Sequence, residues 1–203
     1  MIAVLDMGEK RCNRWGDHMF TPQAIPGVLL VQPKRFGDAR GYFSETFNSA
    51  RYVEVGIPDF VQDNESLSRI AGTVRGLHFQ KVPFAQAKLV RCTRGSFFDA
   101  AVDIRRKSPT YGKHVAVTLS AENGLQLYVP VGFAHGFCTL EPDTQIEYKV
   151  SAPYSAEHDG GLAWDDPALN INWPVEPAKA ILSDKDRRQP KLADLPDLFA
   201  YLA

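Results

Sequence analysis

Ala87-Lys88-Leu89-Val90-Arg91-Cys92-Thr93-Arg94-Gly95-Ser96-Phe97-Phe98-Asp99-Ala100-Ala101-Val102-Asp103-Ile104 decides the fold class. Two apolar runs of strand length, 87–93 and 97–104, flank Arg94-Gly95-Ser96, a short-turn signal. The pattern extends in both directions. Upstream, residues 27–33 (GVLLVQP) and 73–80 (TVRGLHFQ) read as strands, and Gly76 permits a bulge or a close backbone approach. Downstream, residues 115–120 and 125–130 flank Ala121-Glu122-Asn123-Gly124, whose Asn-Gly pair is a hairpin cue. Residues 134–141 and 144–150 continue the series. In the latter, Ile146, Tyr148 and Val150 alternate with Gln145, Glu147 and Lys149. Strands at this spacing predict an all-β antiparallel sandwich or barrel. Helix is confined to a short turn over 49–56, after Asn48, and a C-terminal segment over 191–203.

Composition bounds the function. The chain has 203 residues with 23 Lys plus Arg against 24 Asp plus Glu, a net charge of −1. A general nucleic-acid binder would show a basic excess or stripe. A small anionic ligand needs only a few local cations. The longest aliphatic run, Val28-Leu29-Leu30-Val31, is too short to span a bilayer, and no secretory signal is readable. Three widely spaced cysteines, Cys12, Cys92 and Cys138, suit a reducing compartment, so the expected location is cytoplasmic. Cys92 and Cys138 fall in apolar strand patterns and read as packing residues. Residues 1–18 are polar and without period, whereas Met19 opens a segment resembling a natural N-terminus. The expected organisation is an extension over 1–18 and one domain over 19–203.

Neither common phosphate-cradling loop is present, nor a zinc helix, a C-x-x-C pair or a G-x-S-x-G elbow. Polar residues concentrate in two strands. In Arg75-Gly76-Leu77-His78-Phe79-Gln80, alternation sets Leu77 and Phe79 on one face and Gly76, His78 and Gln80 on the other. Arg75 falls on the Leu77 side by strict period two, so a bulge at Gly76 is needed to turn it inward. The segment reads equally as a hydrogen-bonded core histidine or as a base with a cation beside it. Taken alone, Lys88 reads as a solvated strand lysine and Tyr148 as core packing. Arg105-Arg106-Lys107 reads as the solvated tip of a loop, and Asp184-Lys185-Asp186-Arg187-Arg188 as a solvated charge run.

Val129-Pro130-Val131-Gly132-Phe133-Ala134-His135-Gly136-Phe137 is the second concentration. It resembles the second motif of cupins, small double-stranded β-helix barrels in which this His joins ligands from a first motif to hold a metal. Here Phe79 and Gln80 follow His78, so the His-x-His pair and its Glu are missing. Two imidazoles are too few for a stable zinc or iron site. No metal is expected, and His78 and His135 are left for acid–base work.

Together these segments resemble the dTDP-4-dehydrorhamnose 3,5-epimerase family from about Phe20 to about Pro190. The resemblance rests on residues 36–45 (FGDARGYFSE), 61–66 (VQDNES), 75–80 (RGLHFQ) and 88–91 (KLVR). It continues through 103–105 with 108–112 (SPTYG), 130–137 (PVGFAHGF), 147–149 (EYK) and 182–186 (LSDKD). It implies a cupin-like jelly-roll with a few short peripheral helices. It implies His78 as general base, Asp186 as its paired carboxylate and Tyr148 as proton donor on the opposite side of the sugar. Lys88 and Arg75 then sit at the sugar end, with His135 as a further contact. Arg40, Glu45 and Gln62-Asp63-Asn64 match nucleotide-binding positions, some supplied by the neighbouring subunit of a homodimer. Tyr154 matches an aromatic that stacks on thymine, Lys185 a substrate contact, and Asp159 stands where the family has Glu.

The implied reaction inverts C3 and C5 of dTDP-4-dehydro-6-deoxy-D-glucose. Both hydrogens lie alpha to the C4 ketone, so a positioned base, an oxyanion donor and a second acid suffice, and no cofactor is expected. An epimerase acting on one carbon, a metal-dependent cupin oxygenase and a non-catalytic sugar-nucleotide binding module are the competing readings.

Overall fold

The computed structural model describes residues 19–201, so the expectation about 1–18 lies outside the described residues, as do Cys12 and the last two positions. The strands expected around the Arg94-Gly95-Ser96 turn are β7 (Lys88–Arg94) and β8 (Ser96–Asp103). They do not pair with each other. Gly95, at φ 75°, turns the chain from one sheet into another, and a Cβ there would lie 2.6 Å from Thr144 Oγ1. Such a position admits glycine for both reasons.

Chain order up to this point runs β1 (Phe20–Pro22), β2 (Leu29–Val31), β3 (Arg35–Asp38), β4 (Gly41–Ser44), helix α1 (Ser49–Glu54), β5 (Gln62–Ser68) and β6 (Val74–Gln80). After β8 come β9 (Arg105–Arg106), β10 (His114–Ser120), β11 (Gln126–Val129), β12 (Phe133–Thr139), β13 (Thr144–Val150), β14 (Asp159–Gly161) and β15 (Phe199–Ala200). A six-stranded sheet has the order β1-β2-β11-β7-β13-β5, and a five-stranded sheet the order β10-β8-β12-β6-β14. From β5 to β8 and again from β10 to β14, each successive strand enters the other sheet. This alternation is the double-stranded β-helix of a cupin-like jelly-roll, as expected.

Period-two patterning explains the layers. Val90, Cys92 and Ile146 of the six-stranded sheet meet Phe97, Phe133 and Phe137 of the other in the central core. The opposite face of the five-stranded sheet, with Leu77, Phe79, Val102 and Ala134, is covered by Leu162, Leu169, Leu195 and Phe199 of the C-terminal region. The opposite face of the six-stranded sheet is covered by α1, through Tyr52. Cys92 and Cys138 are free thiols buried in packing, as expected. No helix among the described residues is long and apolar enough to cross a membrane.

Three expectations need correction. The Asn123-Gly124 turn forms, but β10 and β11 diverge into different sheets instead of making a hairpin. A turn cue fixes local backbone, whereas both apolar faces must find opposing layers, and that separates the strands. The expected helix over 191–203 does not form among the described residues, 191–201. The described part is a 3₁₀ turn, Leu192–Asp194, followed by β15, which pairs in parallel with β9. Pro190 and Pro196 bracket that turn, and Pro196 holds Leu195 extended at φ −75°, ψ 125°. Arg105 and Arg106 are not a solvated tip. Asp103 is fully buried and requires a cation, which Arg105 supplies through bonds of 2.9 and 2.7 Å while stacking on Phe133 and Tyr201.

Candidate active site

The bulge required to turn Arg75 inward is present. His135 of β12 pairs with His78 of β6, but Phe137 pairs with Arg75, so β6 carries one extra residue there. Gly76, at φ 132°, makes this possible: a Cβ would lie 2.5 Å from Gly136 Cα. Arg75 and His78 consequently line one cavity of about 450 Å³, with Lys88, His135, Phe137 and Tyr148. His78 and His135 come from the five-stranded sheet, Lys88 and Tyr148 from the six-stranded one. The site therefore lies between the two layers.

His78 Nε2 stands 2.5 Å from Asp186 Oδ1. Asp186 is 4 % exposed, so the central residue of the supposedly solvated charge run is buried. Burial pushes its carboxyl upward. The His78 hydrogen bond and charge, with help from Ser183 and Lys185, outweigh burial and hold it below the usual carboxylate range. Ser183 Oγ donates to Asp186 Oδ2 at 2.7 Å and accepts from the Asp186 N–H at 3.1 Å. Both carboxylate oxygens are thus engaged.

His135 forms a second pair, with Nε2 2.7 Å from Asp99 Oδ1, and Asp99 is fully buried. Lys88 is buried too. Desolvation lowers its ammonium to about 8, against the opposing pull of Asp99 and Asp159. Burial raises the Tyr148 phenol, opposed by the Arg75 charge. Arg75 is anchored to Ser68 Oγ at 3.3 Å and to the Leu67 carbonyl at 3.1 Å.

A connected recess of about 280 Å³ shares His78, Lys88 and Tyr148 and extends past Gln62, Asn64 and Tyr154. Asp159 and Lys185 also line it, joined as an ion pair. Gln62 Oε1 accepts the Tyr154 N–H at 3.0 Å. Asp63 does not join them. Its side chain is 73 % exposed on the other face of β5 and pairs with Lys149. Arg40 and Glu45 are also outside both recesses. Arg40, 89 % exposed, pairs with Asp38 on the β3–β4 ribbon, and Glu45 pairs with Arg51. Among the described residues, no group of three or more His, Cys, Asp or Glu side chains is placed to hold a metal ion.

Sequence reading missed Asp99, Ser183 and Ser66, all of which the structure places at or behind this cavity. Asp99 had a signal: a lone acid inside the apolar run Phe97–Val102 must be paired if buried. Ser183, three residues before Asp186, has the spacing of a capping side chain.

The arrangement suits proton transfer, with a carboxylate-held imidazole on one wall and a phenol and a buried amine on the other. A model of the dTDP-4-dehydrorhamnose 3,5-epimerase family matches residues 22–194. A curated dTDP-4-dehydrorhamnose 3,5-epimerase of Sinorhizobium fredii is 60 % identical over 187 residues, covering 90 % of this chain and 94 % of that protein. The crystal structure of a dTDP-6-deoxy-D-glucose-3,5-epimerase of Legionella pneumophila, in complex with dTDP-4-keto-L-rhamnose, superposes with a TM-score of 0.86 at 41 % identity. It covers 91 % of this chain and 98 % of that one. A 3′-monoepimerase of Streptomyces bikiniensis, in complex with dTDP-quinovose, is more distant, at 32 % identity and a TM-score of 0.79, covering 85 % and 87 %. Similarity is therefore greater to double epimerases than to that single-carbon enzyme. Its fold, its catalytic-type cavity and these likenesses converge: the chain belongs to the dTDP-4-dehydrorhamnose 3,5-epimerase family and is an isomerase.

Proposed function

We propose that the cavity between the sheets inverts C3 and C5 of dTDP-4-dehydro-6-deoxy-D-glucose through enolates, with His78 as the base. The His78–Asp186 contact of 2.5 Å carries this reading. The buried carboxylate fixes the tautomer and orientation of the imidazole. Loss of the proton from C3 or C5 moves its electron pair onto the C4 oxygen. Lys88, buried and close by, donates to that developing oxyanion, where one donor typically contributes about 10²–10³ in rate. Tyr148 approaches from the opposite sheet and returns a proton to the other face of the carbon, which inverts it. The reaction moves protons only, so it balances without an oxidant or reductant.

Gln62, Asn64, Tyr154, Asp159 and Lys185 take the nucleotide and diphosphate in the connected recess, and Arg75 and His135 contact the sugar. Binding of that remote portion supplies energy for orienting the sugar. Arg40 and Glu45 reach a site in a homodimer, delivered to the neighbouring subunit by the β3–β4 ribbon. In support, Phe36, Tyr42 and Phe43 on that ribbon are 53 %, 60 % and 70 % exposed, and the ribbon pairs with no other strand among the described residues. Residues 19–203 then act as one catalytic domain. The free buried thiols suit the cytoplasm.

The test is rhamnose formation in a coupled assay with a rhamnose-forming reductase. His78→Ala and Asp186→Asn should nearly abolish turnover in folded protein. Near-normal turnover of His78→Ala would contradict the assignment.

A further inference from the structure

The inward face of β5 carries Gln62, Asn64, Ser66 and Ser68, two residues apart. Each except Ser66 has a side-chain hydrogen-bond partner. Gln62 Nε2 donates to Asn64 Oδ1 at 2.7 Å, and Ser68 Oγ accepts from Arg75 at 3.3 Å. The hydroxyl of Ser66 is shielded from solvent and lacks a hydrogen-bond partner among the described residues. Its residue lines the cavity of His78, Lys88 and Tyr148. A buried hydroxyl without a partner is uncommon, because it forfeits its hydration. At a ligand site, the ligand restores the missing bond.

The strand also sets the depth at which this hydroxyl meets a substrate. Two residues of β-strand advance about 6.7 Å. Gln62 and Asn64 line the recess assigned above to the nucleotide and diphosphate, and Ser66 lies one such step further in, at the sugar. On that sugar, C1 carries the diphosphate, C3 and C5 change configuration, C4 is the ketone and C6 is a methyl group. The C2 hydroxyl alone keeps its place from substrate to product. A fixed neutral partner can hold it through every step, whereas the C3 hydroxyl swings away on inversion.

We propose that Ser66 Oγ hydrogen-bonds the C2 hydroxyl of the hexose and so makes the enzyme select 2-hydroxy over 2-deoxy sugar nucleotides. This rests on the placement of the sugar at His78 given above. The contact is the same in ground and transition states, so it acts on KM and leaves kcat nearly unchanged.

The experiment compares wild type and Ser66→Ala on dTDP-4-dehydro-6-deoxy-D-glucose and on its 2-deoxy counterpart, reading deuterium uptake in D₂O. Wild type should prefer the 2-hydroxy sugar in kcat/KM by about tenfold, the worth of one neutral hydrogen bond. Ser66→Ala should lose that tenfold through KM on the 2-hydroxy sugar only, leaving both sugars equal. The ligand-free melting temperature should not fall, because no bond within the protein is lost. Equal losses on both sugars, no loss on the 2-hydroxy sugar, or no preference in wild type would each overturn the proposal. Ser66→Cys, of similar size and a weak hydrogen-bonding group, gives the same test should the alanine variant not fold, and a retained preference there counts against the proposal. Wild-type exchange on the 2-hydroxy sugar is read in the same tubes. Its absence would sink the His78 mechanism, whereas its presence with an unaltered preference in Ser66→Ala sinks the Ser66 assignment alone.

Discussion

The carboxylate that holds His78 comes from 108 residues further along the chain, and its own orientation depends on Ser183. Removing that hydroxyl leaves one oxygen of a buried carboxylate without its donor. A hydrogen bond to a charged group is worth roughly 1.5–3 kcal/mol. Ser183→Ala should therefore move the Asp186 carboxyl up toward the ordinary carboxylate range and lower kcat roughly tenfold. Ser183→Thr, which keeps the hydroxyl, should restore the rate. A kcat unchanged in Ser183→Ala would show that Ser183 merely caps the turn. Tyr148→Phe should spare proton exchange more than net inversion, since the base remains and only the opposite-face donor is gone. Isotope exchange measured beside product formation checks this, and equal losses would remove Tyr148 from the donor role.

At the scale of elements, the Gly76 bulge turns Arg75 into the site, and the Asp103–Arg105 pair anchors β9, which β15 joins. Gly76→Ala would force a Cβ against Gly136 Cα at a φ of 132°. Loss of more than about 3 kcal/mol of stability, or failure to fold, is expected and is measured by urea unfolding. Asp103→Ala would strand Arg105, whose side chain is 16 % exposed, and should cost about 3–5 kcal/mol. A change below about 1 kcal/mol would mean that the cation–π contacts with Phe133 and Tyr201 hold Arg105 without the carboxylate.

These elements also show what the sequence can convey. The apolar strands β6, β7, β8, β12 and β13 were legible because burial on one or both faces imposes their patterns. Even the inward turn of Arg75 followed from counting residues around Gly76. β5 was not legible as a strand. Its inward positions are polar because they face the site, and its outward Asp63 and Glu65 are exposed, so no apolar period survives. Asp186 was invisible to patterning for a related reason: a buried carboxylate flanked by exposed Lys185 and Arg187 looks like a solvated run until its partner is known. Family resemblance, not periodicity, brought it to His78.

Across the whole molecule, charge and assembly bear on the same reaction. Lys88 is lowered to about 8 by burial, so between there and the ordinary lysine value the unfolded chain binds more protons than the folded one. Stability from this group therefore rises with pH through that window, by an amount on the order of 3 kcal/mol. Activity should do the reverse, falling above about pH 8 as the cationic donor is lost. Thermal melts of wild type against Lys88→Met should show the variant more stable at neutral pH and the gap closing above the window. A gap independent of pH would mean that Lys88 does not titrate there. Size-exclusion chromatography should give a dimer, and a monomer would leave Arg40 and Glu45 without a route to a site. The central claim is that one cavity abstracts and returns protons at both carbons next to the ketone. It is tested most directly by incubating wild type with dTDP-4-dehydro-6-deoxy-D-glucose in D₂O and reading C3 and C5 by NMR. Deuterium at both positions is the expected result; deuterium at one carbon only, or at neither, would contradict the account.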